Sequence, residues 1–411
     1  HEAMYHYFTL AYLPGDRTPY NEVHEMREGQ LMEVDLETGK YELRYHYQLH
    51  YEQRRDIPLK EATSKVHDLL LDAVRRNMIS DAPLGMTLSG GIDTSTMLAL
   101  VKELGLSEKM NTFSLKMGEG SFDESKYQKI MSDFAGTTHH EIVVNPEDVE
   151  QVLIEHMAYI DEPIGDGSAI PSYLLAKYAT DYVDVLFSGE GGDEVFNAYE
   201  TLGAYQMRKI YRKMVPAPLR QLIKWGVHKL PTNYEKLSFD FKAKRFTEGV
   251  ELDTPDSHMF WRHVLTDEEK AQMMPGHPDI ESTYNIFRRV FYDYAKGYDH
   301  DLNRISLIDI KHFFIDDLMV KNDRMFMAHS IETRFPMIDR ILLDYVKYLP
   351  VSYRVHGFKR RYIQKKAMEG LMPNEILQRS SFGLEMPHSI WFLNKLGPFA
   401  EKYLNKKYEG V

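Results

Sequence analysis

The stretch Leu84-Gly85-Met86-Thr87-Leu88-Ser89-Gly90-Gly91-Ile92-Asp93-Thr94-Ser95 decides how this chain is read. Leu84 to Leu88 is a short apolar run of strand character that stops at two adjacent glycines, and Thr94 to Leu104 resumes with helical spacing. Where a strand passes through glycines into a helix, backbone N–H groups can approach a ligand closely. The hydroxyls of Ser89, Thr94 and Ser95, together with the helix N-terminus, favour an anion there. Asp93 is the odd member: a carboxylate beside a phosphate is repulsive unless a cation lies between them, so it points to Mg²⁺. The plain alternative is a tight strand-to-helix turn in which Asp and Ser only cap the helix. No Gly-Lys-Ser/Thr follows, so this is not a Walker loop.

A second turn of the same kind follows the apolar run Val183–Phe187: Ser188-Gly189-Glu190-Gly191-Gly192-Asp193-Glu194. Three glycines open the backbone and three carboxylates sit at a strand end. Asp193 can share Mg²⁺ with Asp93, and Glu190 can face the reacting centre as a base or as a partner for an incoming amine. An acidic surface turn is the alternative. Between the two turns, β-type runs at Thr112–Met117 and Glu141–Val144 alternate with helical stretches around Glu124–Phe134, Val149–Tyr159 and Ser172–Tyr182. That alternation predicts a parallel sheet covered on both faces, with ligands at the carboxyl ends of its strands.

Upstream, Lys60 to Asn77 has helical spacing, and Gln30 to His46 alternates around Glu37-Thr38-Gly39-Lys40, which predicts a β-hairpin. The first fifty residues are therefore expected to form a small β-rich leader. Beyond Tyr199 the chain is expected to be all helical. It begins at His1 with neither an initiator Met nor a secretion signal, and reads as a piece of a longer protein.

The 411 residues suggest two or three domains, at about 150 residues each. With 50 Lys+Arg against 62 Asp+Glu the formal charge is −12, which argues against a nucleic-acid coat or membrane-surface protein while leaving room for a local basic cleft. No apolar run is long enough to span a membrane. The absence of cysteine excludes a disulfide framework, a thiolate metal site and a thiol nucleophile in these residues.

The signature Ser-Gly-Gly-x-Asp-Ser/Thr-Ser resembles the pyrophosphate loop of ATP-pyrophosphatases, which cleave ATP between the α and β phosphates. SGGIDTS, FDES at Phe122–Ser125, DEP at Asp161–Pro163, SAIP at Ser168–Pro171, SGEGGDE and KNDRMFMAHSIETRFPMID at Lys321–Asp339 together resemble the synthetase domain of glutamine-dependent asparagine synthetases. The resemblance runs from about residue 1 to about residue 392. It implies an α/β fold with a five-stranded parallel sheet of the ATP-pyrophosphatase (adenine nucleotide alpha hydrolase-like) type, divided as 1–55 leader, 56–205 α/β domain and 206–411 helical part. It implies that Leu88, Ser89, Gly90, Gly91, Asp93, Thr94 and Ser95 hold the ATP phosphates, that Leu115 lies by the adenine, and that Ser188 and Gly189 contact the nucleotide. Asp93 and Asp193 would hold Mg²⁺, and Glu190 would sit beside the acyl-adenylate. The implied partners are small molecules: ATP, a carboxylic acid such as aspartate, and ammonia from glutamine, released by an upstream glutaminase domain that this chain lacks. A cytoplasmic protein and a homodimer are further expectations.

In the helical part, Lys321, Asp323, Arg324, Glu332 and Arg334 form a charged cluster. Lys321 either supplies positive charge to the phosphate or substrate carboxylate, or belongs to a buried ion-pair network. Lys359, where the family has a lysine, is a third catalytic candidate beside Glu190 and Lys321. Two departures stand out. Where the family typically reads Arg-x-Lys-x-Gly-Phe, this chain has Arg379-Ser380-Ser381-Phe382-Gly383-Leu384, so Ser381 replaces a lysine near the reacting groups. Such a loss can cost on the order of 3 to 4 kcal/mol, and Lys359, Arg360, Arg361 and Arg379 are the candidate replacements. Asn197-Ala198 replaces two glycines and is expected to reshape the pocket floor. His139-His140 is expected to be structural, and the aromatic run Phe287–Tyr298 to be helix core. The leading expectation is an ATP-dependent amide-forming ligase. A related adenylating enzyme acting on another acid, such as a macrolactam or β-lactam cyclase, and an ATP-binding protein without turnover remain open.

Overall fold

The computed structural model describes residues 1–51, 57–118, 120–274, 280–379, 383 and 386–405. The helix α1 (Glu2–Leu10) comes first, then an antiparallel hairpin of β1 (Gln30–Val34) and β2 (Tyr41–Tyr45). The α/β part follows as α2 (Leu59–Asn77), β3 (Leu84–Thr87), α3 (Ile92–Glu103), β4 (Asn111–Met117), α4 (Ser125–Ala135), β5 (Thr138–Val144), α5 (Pro146–Glu155), α6 (Ala169–Ala179), β6 (Val185–Phe187) and α7 (Gly192–Phe196).

Strands β3 to β6 pair in parallel, and with β7 (Glu332–Arg334) the five-stranded sheet has the order β5-β4-β3-β6-β7. Its centre is fully buried at Met86, Phe113, Leu186 and Phe187, as a sheet covered on both faces requires. From β3 the chain crosses outward to β4 and β5, and from β6 it crosses the opposite way to β7. The direction reverses between β3 and β6, where open α/β sheets form a crevice at the strand ends. Both glycine turns leave from these two strands.

Two expectations need correction. The region beyond Tyr199 is not all helical, because Glu332–Arg334 forms β7 and pairs in parallel with β6. Arg334 anchors this edge by donating through Nη1 to the carbonyls of Asn77 (2.6 Å) and Ile79 (2.8 Å). The first fifty residues are not simply β-rich either. Leu10, Tyr12 and Tyr51 pack with Phe287, Phe291 and Ile305 in one hydrophobic cluster, whereas every residue of β2 is exposed. From the aromatic run, Phe287, Phe291 and Tyr298 belong to this core as expected, whereas Tyr292 and Tyr294 are exposed.

Another cluster joins Val66, Leu70, Met97 and Leu100 to Leu342, Ile363 and Met372. The α/β and helical parts thus share a core across residues 205 and 206. The helical part also contains a continuous rod, Asp301–Met327, whose middle Asp309–Met319 is wound as a π-helix.

Asn197 ends α7 in the left-handed region (φ 54°, ψ 61°), which asparagine tolerates better than most residues. It does not form the pocket floor: its Oδ1 accepts from Nη1 of the fully buried Arg354 at 2.7 Å, and Ala198 faces the cavity instead. Asn197→Gly keeps the backbone but strips a partner from a buried guanidinium, so urea denaturation should show a loss of about 1–3 kcal/mol. Asn197→Ala should lose about 1 kcal/mol more, because its Cβ is strained at positive φ.

Candidate active site

The two turns interlock by contact of backbone with side chain. A Cβ on Gly189 would lie 2.5 Å from Thr94 Cγ2, and one on Gly192 would lie 2.2 Å from Asp93 Oδ1. A larger residue at either position would have to displace the Thr94 or Asp93 side chain. Within the first turn, Ser89 Oγ accepts from the Gly91 N–H (3.2 Å) and pairs with Thr94 Oγ1 (3.2 Å). Helix α3 starts after Gly91 with no side-chain cap, which leaves its first N–H groups directed at the crevice.

Asp93 and Asp193 come together as expected, and Arg361 lies between them. Its Nη1 donates to Asp93 Oδ2 and its Nη2 to Asp193 Oδ1. Gln364 Nε2 donates to Asp93 Oδ1 at 2.9 Å. Burial, then Asp93, raise the Asp193 pKa against the opposing pull of Arg361. Burial lowers the Arg361 pKa, but Asp193 and Asp93 outweigh it and hold the group charged. Next to them, burial and then Asp193 push Glu194 up to about 8. Glu194 therefore holds a proton near neutrality and donates no further negative charge. Two convergent carboxylates supply the hard oxygen donors that suit Mg²⁺, which usually takes one or two carboxylates and completes its shell with water and phosphate. Among the described residues no group of three or more His, Cys, Asp or Glu is arranged to hold a metal ion.

Lys321 is 1% exposed. Its Nζ lies 2.9 Å from Glu190 Oε1, 3.2 Å from Asp166 Oδ2 and 2.8 Å from Ser168 Oγ. Burial lowers its pKa, but Glu190, Asp166 and Asp317 outweigh that and raise it. Glu190 also accepts from Asn322 Nδ2, and its own pKa is raised by burial against the pull of Lys321. The charged cluster read from the sequence therefore splits. Lys321 joins the crevice, while Arg324 pairs with Asp161 and Asp323 at the surface, and Arg334 pairs with Glu332.

These groups line one cavity of about 940 Å³, large enough for a nucleotide and a small acid. Leu88, Ser89, Gly91, Asp93, Thr94, Leu115, Ser188, Gly189, Glu190, Asp193, Lys321 and Lys359 all face it. Gly90 and Ser95 do not. The Gly90 carbonyl is turned to Arg379 Nη1 at 2.8 Å, and Ser95, one turn into α3, is fully buried with Oγ unpaired. Lys359 is exposed on the rim. Of the other replacement cations, Arg360 pairs with Glu200 and Arg379 with Glu124. Ser381 lies outside the described residues.

Sequence reasoning assigned no role to Asp166, Ser168, Glu124 or Gln364. Asp166 left the clearest signal, an Asp-Gly-Ser turn in which its carboxylate accepts from Ser168 N (2.9 Å) and Oγ (2.7 Å). The paired histidines are structural, as expected: His139 bonds Thr112 Oγ1 at 3.0 Å, and His140 stacks on Phe113 at 4.9 Å.

A parallel sheet with two glycine turns at its switch point, enclosing carboxylates and uncapped N–H groups, is an α/β fold of the ATP-pyrophosphatase type. The family model described as asparagine synthase matches residues 65–409, and the chain belongs to this family of ATP-dependent amide-forming enzymes. It is 25% identical over 408 residues to asparagine synthetase [glutamine-hydrolyzing] 1 of Bacillus subtilis, covering 98% of this chain and 62% of that protein. It is 36% identical over 208 residues to putative asparagine synthetase [glutamine-hydrolyzing] 2 of Methanocaldococcus jannaschii, covering 50% and 40%. It is 23% identical over 363 residues to amidase chry2 of Gibberella zeae, covering 80% and 53%. The chain spans less than two thirds of the length of each. No helix among the described residues is long and apolar enough to cross a membrane.

Beside the Asp166 turn, burial and then Glu25 push the Glu162 carboxyl from 4.5 up to about 8. Between these two values the unfolded chain has released the proton and the native chain retains it, so native stability falls as pH rises through that window. Glu162→Gln should flatten this fall, measured by urea denaturation from pH 5 to pH 8.

Proposed function

We propose that this chain activates a carboxylate, with the aspartate side chain as the first choice, by transfer to the α-phosphate of ATP, and then delivers the acyl group to ammonia. In the first step a carboxylate oxygen forms a bond to the α-phosphorus, the α–β bridge breaks and pyrophosphate leaves. In the second, ammonia forms the C–N bond, the acyl–phosphate C–O bond breaks, and the products are an amide and AMP. The observation that carries this reading is the convergence of Asp93 and Asp193, one from each glycine turn, at the mouth of uncapped α3.

The residues divide the work by position. Ser89, Gly91, Thr94, Ser188 and Gly189 cradle the phosphates, and Leu115 borders the adenine. Mg²⁺, held by Asp93 and Asp193, would neutralise phosphate charge when bound. Glu190 accepts a proton from the attacking nitrogen, and Lys321 fixes the carboxylate in place for that task. The protein's contribution is alignment and electrostatics, since the adenylate itself supplies a good leaving group. Ammonia would come from glutamine, as in the relatives named glutamine-hydrolyzing asparagine synthetases. Similarity to a protein named amidase favours a second reading, in which the same adenylation serves another acid.

The decisive experiment uses aspartate labelled with ¹⁸O in its side-chain carboxylate, with ATP, Mg²⁺ and ammonium. One labelled oxygen should appear in AMP, with one pyrophosphate formed per amide. Label in AMP only from another acid would select the second reading. Unlabelled AMP, or ADP and phosphate as products, would overturn the adenylation.

A further inference from the structure

Arg361 stands out from the other cavity cations in three ways. It is 8% exposed, although its guanidinium borders a large cavity. Its backbone is left-handed (φ 55°, ψ 30°) at the start of the helix Tyr362–Ala367, directly after a tight loop closed by the His356–Lys359 bridge with Gly357 at φ +58°. Its two terminal nitrogens each take one carboxylate, and those carboxylates come from the two separate glycine turns. A single planar fork thus occupies the space that a cation shared by Asp93 and Asp193 would need.

Other basic side chains stand close to this fork. Arg360, Lys365 and Lys366 line the same wall. Arg360 is paired with Glu200 and Lys366 with Glu369, whereas burial, then Arg361 and Arg360, depress the pKa of Lys365. Moving the Arg361 guanidinium off the aspartates and toward the cavity becomes favourable once a polyanion lies there and a divalent cation takes over the carboxylates. Guanidinium and phosphate match as a bidentate pair.

We propose that Arg361 exchanges with the divalent cation. It pins Asp93 and Asp193 in the free protein, yields them to the metal, and turns onto the departing pyrophosphate. This rests on the adenylation reading for its second half, while its first half concerns the free protein alone. Arg361 is thereby a positioning residue before catalysis and a leaving-group contact during it.

The test uses the whole chain with two variants, Arg361→Met and Arg361→Lys, and two ligands. Mn²⁺ alone, titrated without nucleotide and followed by electron paramagnetic resonance, should bind about tenfold tighter to both variants, because neither spans both carboxylates. Inorganic pyrophosphate at saturating Mg²⁺, followed by calorimetry, should bind Arg361→Met about tenfold more weakly and Arg361→Lys close to wild type. Unchanged or weaker Mn²⁺ binding in both variants would overturn the exchange. Unchanged pyrophosphate binding in Arg361→Met would overturn the leaving-group role. Should ¹⁸O never reach AMP while Mn²⁺ binding still tightens, the adenylation reading fails and the carboxylate clamp stands. If Arg361→Met does not fold, Arg361→Lys carries the Mn²⁺ arm.

Discussion

Everything in this molecule depends on how closely two turns can approach. Gly189 rests on Thr94 and Gly192 on Asp93 at separations that a Cβ could enter only by displacing those side chains. That contact exists because β3 and β6 are neighbours in the sheet and the chain leaves them in opposite directions. The crevice at a switch point is generic to open parallel sheets. What distinguishes this one is that both turns place an aspartate at its mouth, so two like charges are brought together on the wall of a half-buried cavity. Such an arrangement is unfavourable unless something positive is held between them.

The buried charges around the crevice follow the same logic. Lys321 would be strongly unfavourable at 1% exposure without Glu190, Asp166 and the Ser168 hydroxyl around it, and Arg361 without its two aspartates. Glu194, whose Oε1 accepts from the Tyr199 hydroxyl, meets the constraint through a carboxyl pKa that burial and Asp193 raise. Each ionised group is thus fixed in orientation by its partner, and the site is ordered before substrate arrives.

The fold was legible because its punctuation is local. The runs ending at Ser89 and Ser188 are each followed within a few residues by their own helix. What stayed hidden depends on distant partners. Glu332-Thr333-Arg334 is three polar residues, and only its parallel pairing with β6 makes it a strand. Helix α1 is amphipathic too briefly to declare itself beside the hairpin pattern. At the site, Lys359-Arg360-Arg361 reads as one basic run, and nothing in its spacing tells that the third residue reaches both aspartates while the first stays on the rim. Lys321 presented the same difficulty: its partners Asp166, Ser168 and Glu190 lie more than a hundred residues upstream, so two readings of it could not be separated by sequence.

If the two turns act on one bound metal and nucleotide, their aspartates must be energetically coupled. A double-mutant cycle with Asp93→Asn, Asp193→Asn and the pair, reading MgATP affinity by calorimetry, tests this most directly. The account predicts that the second substitution costs far less once the first is made, a coupling of about 1–3 kcal/mol. Additive losses would mean that the two turns serve separate ligands, and would contradict it.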